Sequence, residues 1–204
     1  MEGILVLVRH GESEWNARNI WTGLTDIRLT QKGKDEAVAV ASLLGDIAFD
    51  RAFTSELSRA YDSLRIMLRE LHIPDLSVTK NSALNERDYG VYTGKNKAEI
   101  RRSLGDEEFL RLRRGWDYPI PKGESLKQVY ARVIPYFDST ILPLLCRGLH
   151  VVVVAHGNSL RALIKKLDTV SDTDISSVEL NTGEIVIFRV DATGAVVSRE
   201  SRGT

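Results

Sequence analysis

Ile4-Leu5-Val6-Leu7-Val8-Arg9-His10-Gly11 and Val151-Val152-Val153-Val154-Ala155-His156-Gly157 decide how this chain folds. Each opens with an unbroken apolar run, rich in β-branched residues, which is the pattern of a strand buried on both faces. Such strands belong to α/β folds with a mostly parallel sheet flanked by helices on both faces. Parallel strands all point one way, so His10 and His156 should emerge at the same carboxyl edge, where open α/β sheets bind their ligands.

Working outward from these strands, helical patterns alternate with short apolar runs. Thr30 is an expected N-cap for a helix to Leu44, with Ala37, Val40, Ala41 and Leu44 on one face and Gly45 as its stop. Asp50–Thr54 reads as a strand, and Ser55 as the cap of a second helix carrying Ala60, Leu64, Met67, Leu68 and Leu71 before Pro74. Leu76–Lys80 is another expected strand. From Asn85 to Gly123 the chain is polar, with short helices expected at Lys95–Leu104 and Asp106–Arg114. A long helix follows from Ser125 to about Leu145, bent by Pro135. After the Val151 strand a helix should start near Ser159. Asn181-Thr182-Gly183 reads as a turn, and Glu184–Val190 with Ala195–Glu200 as a terminal hairpin. No linker or repeat divides the sequence, so one domain over 1–204 is expected.

The bulk numbers exclude several classes. Hydrophobic residues make up 43% of the 204 and charged residues 27%, with 28 acidic and 28 basic side chains. A general nucleic-acid or membrane-surface role normally leaves a basic excess, which this chain lacks. No apolar run is long enough to cross a bilayer, and Ile4–Val8 is too short for a signal-peptide core. The single cysteine, Cys146, allows neither an internal disulfide nor a cysteine cluster; it is expected to be buried and inert, and the setting cytoplasmic.

The chemistry concentrates at the two strand ends. A lone histidine after a strand is usually a satisfied loop residue. Two at equivalent ends, each followed by glycine, point to a shared pocket in which bare backbone approaches an anion. Arg9 adjoins His10, and Arg59 lies early in the helix after the second strand. Guanidinium groups hold phosphate oxygens bidentately, so Arg9, Arg59, His10 and His156 together would neutralise a phosphate. His72 and His150 lack this setting and read as structural or solvated.

Arg9-His10-Gly11-Glu12 together with His156 resembles the histidine phosphatase superfamily. Within it, the ordered series that continues through Ser13-Glu14-Trp15-Asn16, Thr22-Gly23, Arg59, Leu84-Asn85-Glu86-Arg87-Asp88-Tyr89-Gly90, Asn96-Lys97, Arg113-Arg114 and His156-Gly157-Asn158 is similar to the cofactor-dependent phosphoglycerate mutases over nearly the whole chain. That resemblance implies a glycolytic and gluconeogenic enzyme interconverting 3-phosphoglycerate and 2-phosphoglycerate, primed by 2,3-bisphosphoglycerate and needing no metal. It makes His10 the nucleophile, Glu86 the general acid and base, and His156, Arg9 and Arg59 the groups that stabilise charge on the phosphoryl oxygens. Lys97, Arg87, Arg113 and Arg114 would hold the substrate's carboxylate and phosphate. Gly11, Glu12, Ser13, Asn16, Thr22, Gly23, Asp88, Tyr89, Gly157 and Asn158 complete the implied substrate site.

The sequence departs from the longer relatives in two places. The segment between Arg114-Gly115 and Glu124-Ser125 is shorter, and the chain stops soon after its last strand. A more open site, with more loss of phosphate to water, is the expectation, and either a monomer or a homodimer is compatible. A phosphatase sharing the two histidines is the main rival, a bisphosphoglycerate synthase a subtler one, and a non-catalytic phosphate-binding module a third. The set Glu86, Arg87, Tyr89, Lys97, Arg113 and Arg114 favours the mutase.

Overall fold

The computed structural model describes residues 1–203; Thr204, the last residue of the expected domain, lies outside them. Six strands form one sheet: β1 (Gly3–Arg9), β2 (Arg51–Thr54), β3 (Val78–Lys80), β4 (Val151–Ala155), β5 (Ile185–Val190) and β6 (Val196–Arg202). Their order is β3-β2-β4-β1-β5-β6. The first four are parallel, while β5 runs antiparallel to β1 and β6 antiparallel to β5. The expected hairpin therefore caps one edge of an otherwise parallel sheet.

Alternation along each strand divides the core in two. Leu5 and Leu7 of β1, with Val151 and Val153 of β4, pack on one face against α6 (Leu126–Tyr136) and α8 (Gly157–Leu167). Val6 and Val8, with Val152 and Val154, pack on the other face against α2 (Gln31–Ser42) and α3 (Ser58–Glu70). A third, smaller cluster, including Trp21, Tyr89, Leu112 and Ile120, sits apart from both faces and packs with residues of α4 (Lys97–Leu104) and α5 (Asp106–Arg114). Among the described residues no helix is long and apolar enough to cross a membrane.

Several local expectations are corrected. A short helix, α1 (Glu14–Ala17), was not foreseen; Ser13 caps it through Asn16. α3 begins at Ser58 rather than after a Ser55 cap, because Asp26, from a distant loop, accepts from both Ser58 N–H and Ser58 Oγ. The long helix remains helical but widens into a π turn at Phe137–Ile141 before α7 (Leu142–Cys146). Pro135 has no N–H to donate, and its own carbonyl accepts from Ser139 Oγ, so the regular ladder fails just there. α8 starts two residues before Ser159, with His156 at its N-cap position. Cys146 is half-buried.

Candidate active site

β1 and β4 are adjacent, and Arg9 lies opposite Ala155 in their register. The next residue on each strand is a histidine, so the sheet itself delivers both rings to one place. His10 N–H donates to Ala155 carbonyl at 3.0 Å, and the two ring centroids are 4.9 Å apart. Both histidines are almost completely buried.

Each ring is oriented by a different partner. His10 Nδ1 lies 2.7 Å from the Gly11 carbonyl. A carbonyl only accepts, so Nδ1 carries the proton and Nε2 presents a lone pair. His156 Nε2 is 2.7 Å from Ser55 Oγ, while its buried Nδ1 finds no partner among the described residues. Burial, then the charge of Arg59, depresses the pKa of both rings well below the ordinary histidine value. The charge of Arg9 adds to both shifts. Neutral imidazole is the form able to act as a nucleophile.

Gly11 is required for packing rather than for a free amide. A Cβ there would lie 2.0 Å from the Gly33 carbonyl in the first turn of α2, a backbone-to-backbone collision. Its N–H, expected to face an anion, instead donates to Ser63 Oγ. Arg59 is 1% exposed, and its two terminal nitrogens donate to the carbonyls of Thr25 and Gly23. It thereby holds the Thr22–Thr25 loop, where Gly23 adopts φ +53°, while its charge stays beside the histidines.

Arg9 and Gly157, the sequence neighbours of His10 and His156, join Asn16, Thr22, Gly23, Glu86, Tyr89, Lys97, Arg113, Arg114 and Asn158 in lining a cleft, while the two buried histidine rings and Arg59 are not themselves among its lining residues. Glu86 reaches it from a loop and is nearly buried. Its Oε1 accepts from the backbone N–H groups of Arg87 and Asn158 and from Asn158 Nδ2. Asn158 Nδ2 also donates to Tyr89 Oη, and Asn158 Oδ1 accepts from Arg161. The carboxylate is thus fixed by donors on one oxygen. Lys97 starts α4, which Asn96 caps, and its N–H donates to Asn19 carbonyl. Burial, then the charges of Arg113 and Arg9, brings its amine down to about 8. Arg113 and Arg114 close α5, where cations complement the negative end of the helix dipole.

Other residues of the implied substrate site lie elsewhere. Arg87 is fully buried, and its guanidinium donates to the carbonyls of Glu124, Leu112 and Tyr118, where it supports the wall from behind. Glu12 accepts from Thr30 Oγ1 and Lys32, Ser13 is spent on capping α1, and Asp88 Oδ1 accepts from Gly90 N–H. Sequence reasoning missed Trp21, Arg161, Glu179 and Leu180 of the lining. It also missed Arg132, which grips the Glu86 loop. Leu180 and Trp21 carry no polar signal, and the three charged residues are recognisable only through partners distant in sequence.

The match to known proteins is extensive. Residues 5–201 fit the family model described as histidine phosphatase superfamily (branch 1). This chain belongs to the histidine phosphatase superfamily. Its members by sequence include a Methylocella silvestris protein named 2,3-bisphosphoglycerate-dependent phosphoglycerate mutase, 48% identical over 98% of each chain. A Parvibaculum lavamentivorans protein of the same name is 44% identical over 98% of this chain and 96% of that one. The fold is similar to that of the structure titled phosphoglycerate mutase from Bacillus anthracis str. Sterne, with TM-score 0.79 and 19% identity over 100% of this chain and 92% of that one. A structure titled mycobacterial hydrolase 1 matches with TM-score 0.84 and 23% identity over 98% and 97% of the two chains.

Proposed function

We propose that the chain is a 2,3-bisphosphoglycerate-dependent phosphoglycerate mutase that interconverts 3-phosphoglycerate and 2-phosphoglycerate through a phosphorylated His10. The observation that carries this reading is the second basic wall. Lys97, Arg113 and Arg114 line a cleft above the histidine floor and offer a place for the carboxylate and the phosphate that is not being transferred. Simple hydrolysis of a phosphate ester needs only the floor. The names of the similar sequences support the same reading.

His10 Nε2 is both acceptor and donor of the phosphoryl group. In the forward transfer the substrate's free hydroxyl oxygen bonds to phosphorus, the P–N bond breaks and its electrons return to Nε2. Glu86 accepts the hydroxyl proton. In the return transfer Nε2 bonds to the phosphorus on the neighbouring carbon's oxygen, the P–O bond breaks, and Glu86 gives that oxygen its proton. Arg9, Arg59 and His156 offset the charge on the equatorial oxygens. The buried, unpartnered Arg9 Nε and His156 Nδ1 suit phosphoryl oxygens, which supports such a group resting there. When bound, 2,3-bisphosphoglycerate supplies the phosphate that loads His10.

Phosphorus NMR of the protein with 3-phosphoglycerate and a chelator, with and without a trace of the bisphosphate, tests the assignment. Primer-dependent 2-phosphoglycerate, lost in His10→Ala, is the expected result. Inorganic phosphate released without any isomer would sink the mutase reading and leave a phosphatase on the same histidines.

A further inference from the structure

The cleft built to receive anions already contains one that the transfer reaction does not use. Glu179 lines its wall, and its Oε1 accepts from Arg114 Nη2 while lying 3.7 Å from Arg113 Nη2. The other carboxylate of the lining, Glu86, takes its hydrogen bonds from Arg87 N–H and Asn158 instead. Burial opposes ionisation of Glu179, but the hydrogen bond and charge of Arg114, with Arg113 and Arg9, outweigh it and hold its pKa below the ordinary glutamate value. The flanking carbonyls are tied to the same cations: Val178 to Arg114, and Leu180 to Arg9 at 3.0 Å.

A carboxylate offers a ligand anion no donor and repels it. It does satisfy guanidinium groups that would otherwise crowd unpaired beside Arg9 and Lys97. With 43% of its side chain exposed, Glu179 has solvent to move into, unlike the buried Glu86. We propose that Glu179 is a displaceable internal anion that occupies Arg113 and Arg114 in the empty site and makes affinity depend on ligand charge. An incoming carboxylate or phosphate takes over these guanidinium groups, and Glu179 turns outward. Because the displaced charge then remains near the cleft, ligands of higher charge are penalised most, and Glu179 becomes a specificity-determining residue. The inference rests on reading the cleft as a site for a phosphorylated carboxylate.

Glu179→Gln separates charge from shape, since the amide keeps the size and an oxygen able to accept from Arg114. Calorimetric titration of the full-length protein with inorganic phosphate, 3-phosphoglycerate and 2,3-bisphosphoglycerate, at low and high salt, reads the effect. The variant is expected to bind phosphate about threefold and the bisphosphate about tenfold more tightly, with the difference shrinking as salt screens it. Glu179→Ala should move affinity the same way. Unchanged or uniformly weaker binding in both variants, with folding intact by circular dichroism, overturns the proposal and leaves Glu179 as a wall support. The functional reading fails separately, if the unsubstituted protein does not isomerise 3-phosphoglycerate; the inorganic phosphate titration still decides the role of Glu179.

Discussion

Arg132→Met should cost more in turnover than in substrate affinity. Arg132 projects from α6, and its guanidinium divides its N–H groups between the loop that carries Glu86 and Glu124, which braces that loop. Nε and Nη2 grip the two oxygens of Glu124 at 2.8 and 2.9 Å. Nη1 donates to the carbonyls of Ala83 and Asn85, and Nη2 also donates to that of Glu86 at 3.0 Å. Glu124 in turn accepts from Asp88 N–H on the far side of the loop. Methionine keeps much of the stem but leaves three carbonyls and one carboxylate without these donors. Breaking a fully buried pair costs about 3–5 kcal/mol. Arg132 and Glu124 are about a quarter exposed, which lets water replace part of the loss and brings the expected cost to about 2–3 kcal/mol. For a chain of this size that is a fall in melting temperature of about 4–12 °C. A displacement of Glu86 by about 1 Å would lower kcat by about 100-fold. Lys97, Arg113 and Arg114 are untouched, so KM should change by no more than about threefold. A coupled isomerisation assay beside thermal melts measures both quantities. If the melting temperature falls while kcat stays within about twofold of the parent, Arg132 contributes stability only and the positioning argument is wrong. Arg132→Lys refines the answer: it keeps the charge without the planar fork, so kcat should remain low.

Three further outcomes follow from the site. Lys97 titrates near 8 in the free protein, so kcat/KM should fall as pH rises through 8, by about tenfold per unit once the amine is neutral; Lys97→Arg should remove that break, and a flat profile from pH 7 to 9 in the parent would refute the role. His10 and His156 have folded pKa values below the unfolded value of 6.5, so the unfolded chain binds more protons as pH drops beneath it. Stability should therefore decline from about pH 6.5 downward, by as much as about 1.4 kcal/mol per pH unit for each ring, and His10→Gln should flatten the melting-temperature profile there. Gly11→Ala should abolish activity and lower the melting temperature by at least about 5 °C, because its Cβ meets the Gly33 carbonyl; a fully active, stable variant would show that α2 can shift aside.

The two apolar runs were sufficient to foresee the parallel sheet, because burial on both faces leaves an uninterrupted run that few other elements need. They also placed His10 and His156 together, since strand direction follows from the fold class. What the sequence concealed is of a different kind. Asp26 caps α3 from a loop 32 residues away, and nothing around Ser58 announces it. Arg87 lies in a motif suited to ligand binding, yet the backbone carbonyls of Leu112, Tyr118 and Glu124 take its guanidinium. Arg132 and Glu179 look like ordinary surface charges in sequence. Their meaning comes from partners that only the tertiary fold supplies.

The pairing of β1 with β4 has a consequence for when the protein can first work. Arg9 and Ala155 stand opposite one another, and a slip of one residue would turn one histidine to the opposite face of the sheet. β4 lies between β1 and β2, so His10 meets His156 only when the chain as far as residue 156 is in place. On the proposed mechanism, phosphate on His10 would therefore report that β1 and β4 are paired in register, and a chain without β4 would carry none.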